Sequence, residues 1–181
     1  MGSRAYVALL RGINVGGHNK LAMKDLVSMF ADAGCGRVRT YIQSGNVLFD
    51  AAPGLARKIG SVIQESIRER CGLDIPVITR TLDELADVVE NNPFGETETG
   101  VKFLAVGFLA QRPTAARIAA LDPQRSPPDE LVARGRELYM RFPNGVARTR
   151  FTSAYLDSTL GTICTVRNWR TTLKLLELGS G

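Results

Sequence analysis

The chain has one histidine, one tryptophan and three cysteines among its 181 residues. Each scarcity removes a class of chemistry. Cys35, Cys71 and Cys164 are odd in number and widely separated, and they match neither a disulfide framework nor a zinc-binding spacing. Cys35 and Cys71 each stand one residue before a glycine that ends a helical pattern, which reads as packing rather than nucleophilic chemistry. With His18 the sole imidazole, a metal centre would need carboxylates at ligand-like spacing, and no such cluster is present. No metal and no cofactor is implied. No apolar run approaches the roughly 18 residues of a membrane span, and the N-terminal Met-Gly-Ser-Arg leads into only a short apolar stretch. The expected address is therefore the cytoplasm, with no membrane partner. Nucleophile-elbow, kinase-loop, H-E-x-x-H, Walker and dinucleotide G-x-G-x-x-G signatures are all missing.

What remains is an ordinary globular composition, 44% hydrophobic and 23% charged, long enough for one domain or two small halves. Disorder, collagen and coiled coil are excluded as global descriptions. The formal charge is +5 at pH 7, carried mostly by arginine. Arg134, Arg136, Arg141, Arg148, Arg150, Arg167 and Arg170 concentrate it toward the C-terminus, which is either an anion-attracting surface or a solvated strand face.

Periodicity organises the chain. An apolar run over residues 4–10 predicts a first strand, and Met23, Leu26, Val27 and Phe30 place a helix over 23–33. Residues 37–43 and 46–50 read as strands about a Ser44-Gly45 turn, 55–71 as one long amphipathic helix, and 75–79 as a fourth strand that tolerates Pro76 only at an edge or at its start. This βαββαβ order is that of the ferredoxin-like sandwich. A helix over 82–90 closes the half, and Asn91-Asn92-Pro93-Phe94-Gly95 reads as a linker. The order then repeats: a strand over 101–109, a short helix over 113–121, a proline-bearing loop over 122–128, a hairpin from 130–133 and 138–142, a helix near 152–160, a strand over 162–166 and a closing helix over 168–178. The expected fold class is α+β, two consecutive ferredoxin-like subdomains spanning 1–91 and 96–181, with antiparallel sheets covered by helices.

With strand order 4-1-3-2, the end of strand 1 lies beside the start of strand 3. Two polar segments should therefore meet, the loop from Arg11 to Lys20 and the turn from Gln43 to Asn46. Gly12, Gly16 and Gly17 would let backbone amides approach an anion, with Arg11, Asn14 and Lys20 completing a cradle and Ser44, Gly45 and Asn46 facing it. The competing reading is a hydrogen-bonded glycine turn whose asparagines satisfy loop backbone. His18 reads as an exposed loop residue, since no carboxylate stands near it in sequence to orient a base. RNA recognition through sheet aromatics would use Tyr6, but strand 3 lacks the required K/R-G-F/Y-G/A-F-V pattern. Trp169 reads as a core anchor with Arg167 and Asn168 as polar contacts, and the functional alternative has those two residues complete a pocket with the first loop.

The segments Arg11-Gly12-Ile13-Asn14-Val15-Gly16-Gly17, Thr40 to Val47, and Thr165-Val166-Arg167-Asn168-Trp169 with Thr171 and Leu175 resemble the bacterial family catalogued as domain of unknown function 1697. The resemblance spans nearly the whole chain and implies two α+β subdomains of ferredoxin-like character, with no activity to carry over. Cys164 and Val166 stand where small Ala or Thr residues are expected, a departure that concerns packing. Three readings follow. The first is a binding module for a phosphate-bearing small molecule or nucleic acid at the Arg11–Lys20 loop and Gln43–Asn46 turn, with Arg167 and Asn168 as further contacts. The second is an enzyme acting on a small anionic substrate. The third is a protein-interaction module, including a homodimer formed through an open sheet edge.

Overall fold

Two four-stranded antiparallel sheets, each built from half of the chain, organise the computed structural model, which describes residues 4–95 and 100–181. The expected start of the second subdomain at residue 96 lies outside the described residues. The first sheet comprises β1 (Arg4–Leu10), β2 (Gly36–Tyr41), β3 (Asn46–Ala51) and β4 (Val77–Thr81), in the order β2-β3-β1-β4. The second comprises β5 (Leu104–Leu109), β6 (Glu130–Arg134), β7 (Glu137–Arg141) and β8 (Cys164–Asn168), in the order β6-β7-β5-β8. Both orders are the expected 4-1-3-2 read from the other edge, and all pairings are antiparallel.

The helices are α1 (Met23–Asp32), α2 (Pro53–Ala56), α3 (Ile59–Cys71), α4 (Leu82–Glu90), α5 (Ala115–Ala119), α6 (Ser153–Leu160) and α7 (Trp169–Ser180). The chain divides into two compact units, the first comprising Met1–Ala86 with Leu175–Gly181 and the second Asp87–Lys174.

In the first unit, alternate residues Tyr6, Ala8 and Leu10 of β1, with Val47 and Phe49 of β3, meet Leu26, Met29 and Phe30 of α1 and Ile59, Ile63 and Ile67 of α3. The period of two on the strands and of four on α3 is the geometry that puts each set on one face. Each fully buried Ile, Leu or Phe contributes about 1.5–3 kcal/mol in lost apolar exposure. The second unit repeats the pattern with Ala105 and Leu109 of β5, Leu138 and Met140 of β7, and Leu156 and Leu160 of α6. At Gly107, between Ala105 and Leu109 on β5, a Cβ would lie 2.7 Å from Cys164 Sγ and 2.8 Å from Met140 Cε, so no side chain fits there.

The repeat extends to one unusual side chain. Arg80 pairs across from Val7 and Arg167 from Val106, at matching places in the two sheets. Both are buried, and each donates from Nη1 to the preceding residue's carbonyl, Thr79 O at 2.9 Å and Val166 O at 3.0 Å. The next residue in each strand then caps a helix. Thr81 and Glu84 exchange bonds in a capping box, and Asn168 Oδ1 accepts from Thr171 N at 2.8 Å.

Several boundaries differ from expectation. The helix over 55–71 is two helices: Pro53 opens a separate turn, and Lys58, at φ −113°, breaks the run before Ile59. The fourth strand starts at Val77, after Pro76, which lacks an N–H for the ladder and instead accepts from Arg11 N through its carbonyl. Residues Val101–Phe103 form a 3-10 turn ahead of β5. The second unit's helix shrinks to five residues, α5. Cys35 and Cys164 are buried as packing residues, but Cys71, at the end of α3, is exposed. No helix of the described residues is long and apolar enough to cross a membrane.

Candidate functional site

The connection from β1 to α1 is a miniature hairpin. Val15 and His18 form an antiparallel bridge, and His18 N donates to Val15 O at 3.0 Å. Gly16 and Gly17 between them have φ of +58° and +80°, the left-handed pair that a two-residue hairpin turn requires and that glycine adopts without steric strain. One step outward, Asn14 N donates to Asn19 O, and Asn19 Nδ2 donates to Gly12 O at 2.9 Å. Two of the three glycines proposed for an anion cradle are thus accounted for by turn geometry.

Asn14 ties this loop to the rest of the unit. Its Oδ1 accepts from Leu21 N, and its Nδ2 donates to Leu21 O and to Gln43 O, all at 2.9 Å. The last bond reaches the turn before β3, so the two polar segments meet as the strand order requires. On the turn side, Leu10 N donates to Gly45 O at 2.8 Å. Asn46, fully buried, donates from Nδ2 to Tyr41 O and Ser44 Oγ at 3.1 Å. Asn14, Ser44, Gly45 and Asn46 therefore hold the scaffold together.

Other groups are presented outward. Lys20 and His18 are exposed, and Arg11 is half-exposed. Between residues 11 and 24, and between 36 and 49, there is no Asp or Glu. Asp74, near Pro76, is engaged by Gln64 Nε2 and Arg68 Nη2, both at 2.9 Å, and these partners, Gln64 foremost, hold its carboxyl below the usual range. The backbone N–H groups of Gly16 and Gly17 donate to no atom of the described residues. The same two carboxylate-free segments also expose two large apolar side chains: Val15 is 62% exposed and Ile42 49% exposed. Ile42 also has φ +52°, a left-handed conformation costly for a β-branched residue. Sequence reasoning missed Ile42, because a β-branched residue at a strand end looks like strand continuation.

Arg167 and Asn168 lie in the second unit and are occupied there. Arg167 Nη1 donates to Thr165 Oγ1 as well as to Val166 O, and burial pushes its pKa down to about 10. Asn168 caps α7. Of the C-terminal arginines, Arg167 is buried, Arg134 Nη1 bonds Asn91 O, and Arg141 is paired with Glu130. Tyr6 stacks on Phe49 at 5.6 Å within the helix-side core, so it offers no platform for a base. Among the described residues no three His, Cys, Asp or Glu side chains gather to hold a metal ion.

Comparison with known proteins adds a family and a fold. The family model described as Protein of unknown function (DUF1697) matches residues 4–139. The solved structure of the conserved bacterial protein SP0830 from Streptococcus pneumoniae is similar, with 19% identity, a TM-score of 0.73 and coverage of 98% of this chain and 99% of that one. At that identity the likeness establishes the shared α+β fold. No curated protein matches the chain.

Proposed function

We propose, from the premise that this chain belongs to the DUF1697 family, that the loop end of its first unit binds a phosphate-bearing ligand. The observation that carries the reading is the Asn14 bond to Gln43 O. It fixes a carboxylate-free loop bearing Arg11 and Lys20 against a second carboxylate-free segment, so that little needs ordering when an anion arrives. The outward amides of Gly16 and Gly17 add donors for phosphate oxygens. Exposed Val15 and the strained Ile42 give the same end an apolar surface on which a nucleoside can rest, and backbone strain of this kind collects at binding sites. The enzymatic alternative has less support, since the exposed His18 side chain has no hydrogen-bonded orienting carboxylate among the described residues.

Small molecules and nucleic-acid strands both carry phosphate, and two titrations separate them. Fluorescence anisotropy with a labelled single-stranded decanucleotide, and calorimetry with a nucleoside monophosphate, are each run on wild type, Arg11→Ala, Lys20→Ala and the exposed control Arg57→Ala. The expected result is weaker binding in the two loop variants and unchanged binding in the control. For a single strand, affinity falls with salt, and each lost phosphate contact lowers the logarithmic slope by about 0.7. Binding that is indifferent to Arg11 and Lys20, or no binding of either probe, overturns the reading.

A further inference from the structure

The second unit lacks the first unit's long loop but has a gap elsewhere. Where α1 runs Met23–Asp32, the corresponding α5 covers only Ala115–Ala119, and residues 120–129 then run irregularly into β6. Beside this shortened helix lies a cavity of about 500 Å³, within the range of small-molecule sites. Its apolar wall includes Ile118, Leu121, Leu131 and Phe151, and its polar wall includes Asp122 and Asp129.

Asp129 is the informative residue. It is only 8% exposed, and its Oδ2 accepts from Ser126 Oγ at 2.7 Å. Its Oδ1 receives no hydrogen bond, and no cation forms an ion pair with it, among the described residues. Since no buried side-chain oxygen or nitrogen of the described residues lacks a partner, this unbonded Oδ1 is open to solvent, in a residue that lines the cavity, and it offers a charged acceptor to whatever enters. Three nearby arginines are directed to other partners. Arg125 lies over the Tyr155 ring at 3.8 Å and donates from Nε to Arg150 O, Arg117 bonds Ser158 O, and Arg141 holds Glu130, the third acid of the lining. Asp122 accepts from Gln124 N through Oδ1 and also lacks an ion pair among the described residues.

We propose that this cavity is a binding site for an organic cation, an ammonium or guanidinium group on an apolar body. The charge sits against Asp129 Oδ1 with Asp122 as its second contact, and the apolar part lies among Ile118, Leu121, Leu131 and Phe151. The site is independent of the phosphate reading for the first unit.

The test uses the full chain and three probes of nearly one shape: 2-phenylethylamine, 2-phenylethanol and phenylacetate, which are cationic, neutral and anionic at neutral pH. Binding is followed by protein-observed NMR, with the amide signals of Asp129, Leu131 and Ala133 as reporters. The amine should bind at least about ten-fold tighter than the alcohol, equivalent to about 1.4 kcal/mol, and phenylacetate should not bind. Asp129→Asn keeps an acceptor for Ser126 and should cut the preference for the amine to under about three-fold while leaving the alcohol unchanged. Ala133→Phe fills the cavity without altering any charge and should abolish binding of both. Equal affinity for amine and alcohol, a preference that survives Asp129→Asn in a folded variant, amine binding that survives Ala133→Phe, or no binding of any probe would each overturn the proposal.

Discussion

The two units share a strand order, a buried arginine at one register position and a helix cap directly after it, yet they differ in where the chain leaves the shared plan. The first unit elaborates the passage from its first strand to its first helix, residues 11–22. The second crosses the same place in residues 110–114, with Gln111 N bonded to Thr162 Oγ1, and departs after its shortened helix instead. A repeated sheet supplies the same rigid frame twice, and each copy hangs a different irregular segment on it. Candidate sites belong where the copies disagree, because the frame accounts for what they have in common.

The hairpin turns give the widest contrast. In the first unit Gly45 has φ +77°, and a Cβ would lie 2.7 Å from Leu10 Cβ and 2.9 Å from Ile13 Cδ1. In the second, Gly135 has φ +61°, but a Cβ would come no nearer than 3.5 Å to any side chain, the closest being Glu137. Gly45→Ala combines left-handed strain with overpacking and should cost about 3 kcal/mol, whereas Gly135→Ala carries the strain alone and should cost about 1 kcal/mol. Urea unfolding of both variants measures the difference. Equal losses would mean that the first turn is no more tightly packed than the second.

Next in size is the tie that only the first unit has. Asn14→Ala removes two donated bonds and one accepted bond and should destabilise by about 2–3 kcal/mol. Its local signature is sharper: hydrogen exchange at Leu21 N and His18 N should accelerate well beyond the global loss, while Gln111 N in the second unit changes only with global stability. Uniform acceleration would show that the loop is not held by Asn14.

These contrasts mark what could be read from residues alone. The strand order was legible because strand-length apolar segments at residues 4–10, 46–50 and 138–142 and turn glycines at 45 and 135 point to one topology, and the meeting of the two polar segments follows from that order. Local periodicity could not divide 55–71 into two helices, since Leu55 and Ile59 keep a helical spacing across the break at Lys58. Nor could it separate scaffold from surface within the loop. Asn14 and Lys20 are equally polar in sequence, but one is consumed by backbone and the other is exposed. The burial of Arg80 and Arg167 was hidden because the two strands were expected to end one residue before these arginines, at 79 and 166, whereas they run on to Thr81 and Asn168. The second unit's cavity left only the trace of Pro123, Pro127 and Pro128 in a loop where a helix would otherwise continue.

The smallest effect concerns protonation, and it sets one buried acid of each unit against the other. Burial raises the Cys35 thiol of the first unit from 9.0 to about 11, and burial with the nearby Glu137 charge raises the Tyr139 phenol of the second from 10.0 to about 12. Tyr139 Oη also donates to Val88 O at 3.0 Å, a bond that requires the protonated form. In both cases the unfolded chain releases its proton first, so stability is fully present below the unfolded value and falls as pH rises through the folded one. Arg167 opposes this trend near pH 10, because burial lowers its value to about 10 and the folded state gives up that proton ahead of the unfolded chain. Tyr139 and Arg167 begin to differ between the two states only toward pH 10, so the interval from pH 8 to pH 9 isolates Cys35. Unfolding free energy measured across it should decline in wild type and flatten in Cys35→Ala, and iodoacetamide at pH 8 should modify exposed Cys71 while sparing Cys35 until the chain unfolds. A decline that persists in Cys35→Ala would transfer the effect to another group and remove the distinction between the two units on this point.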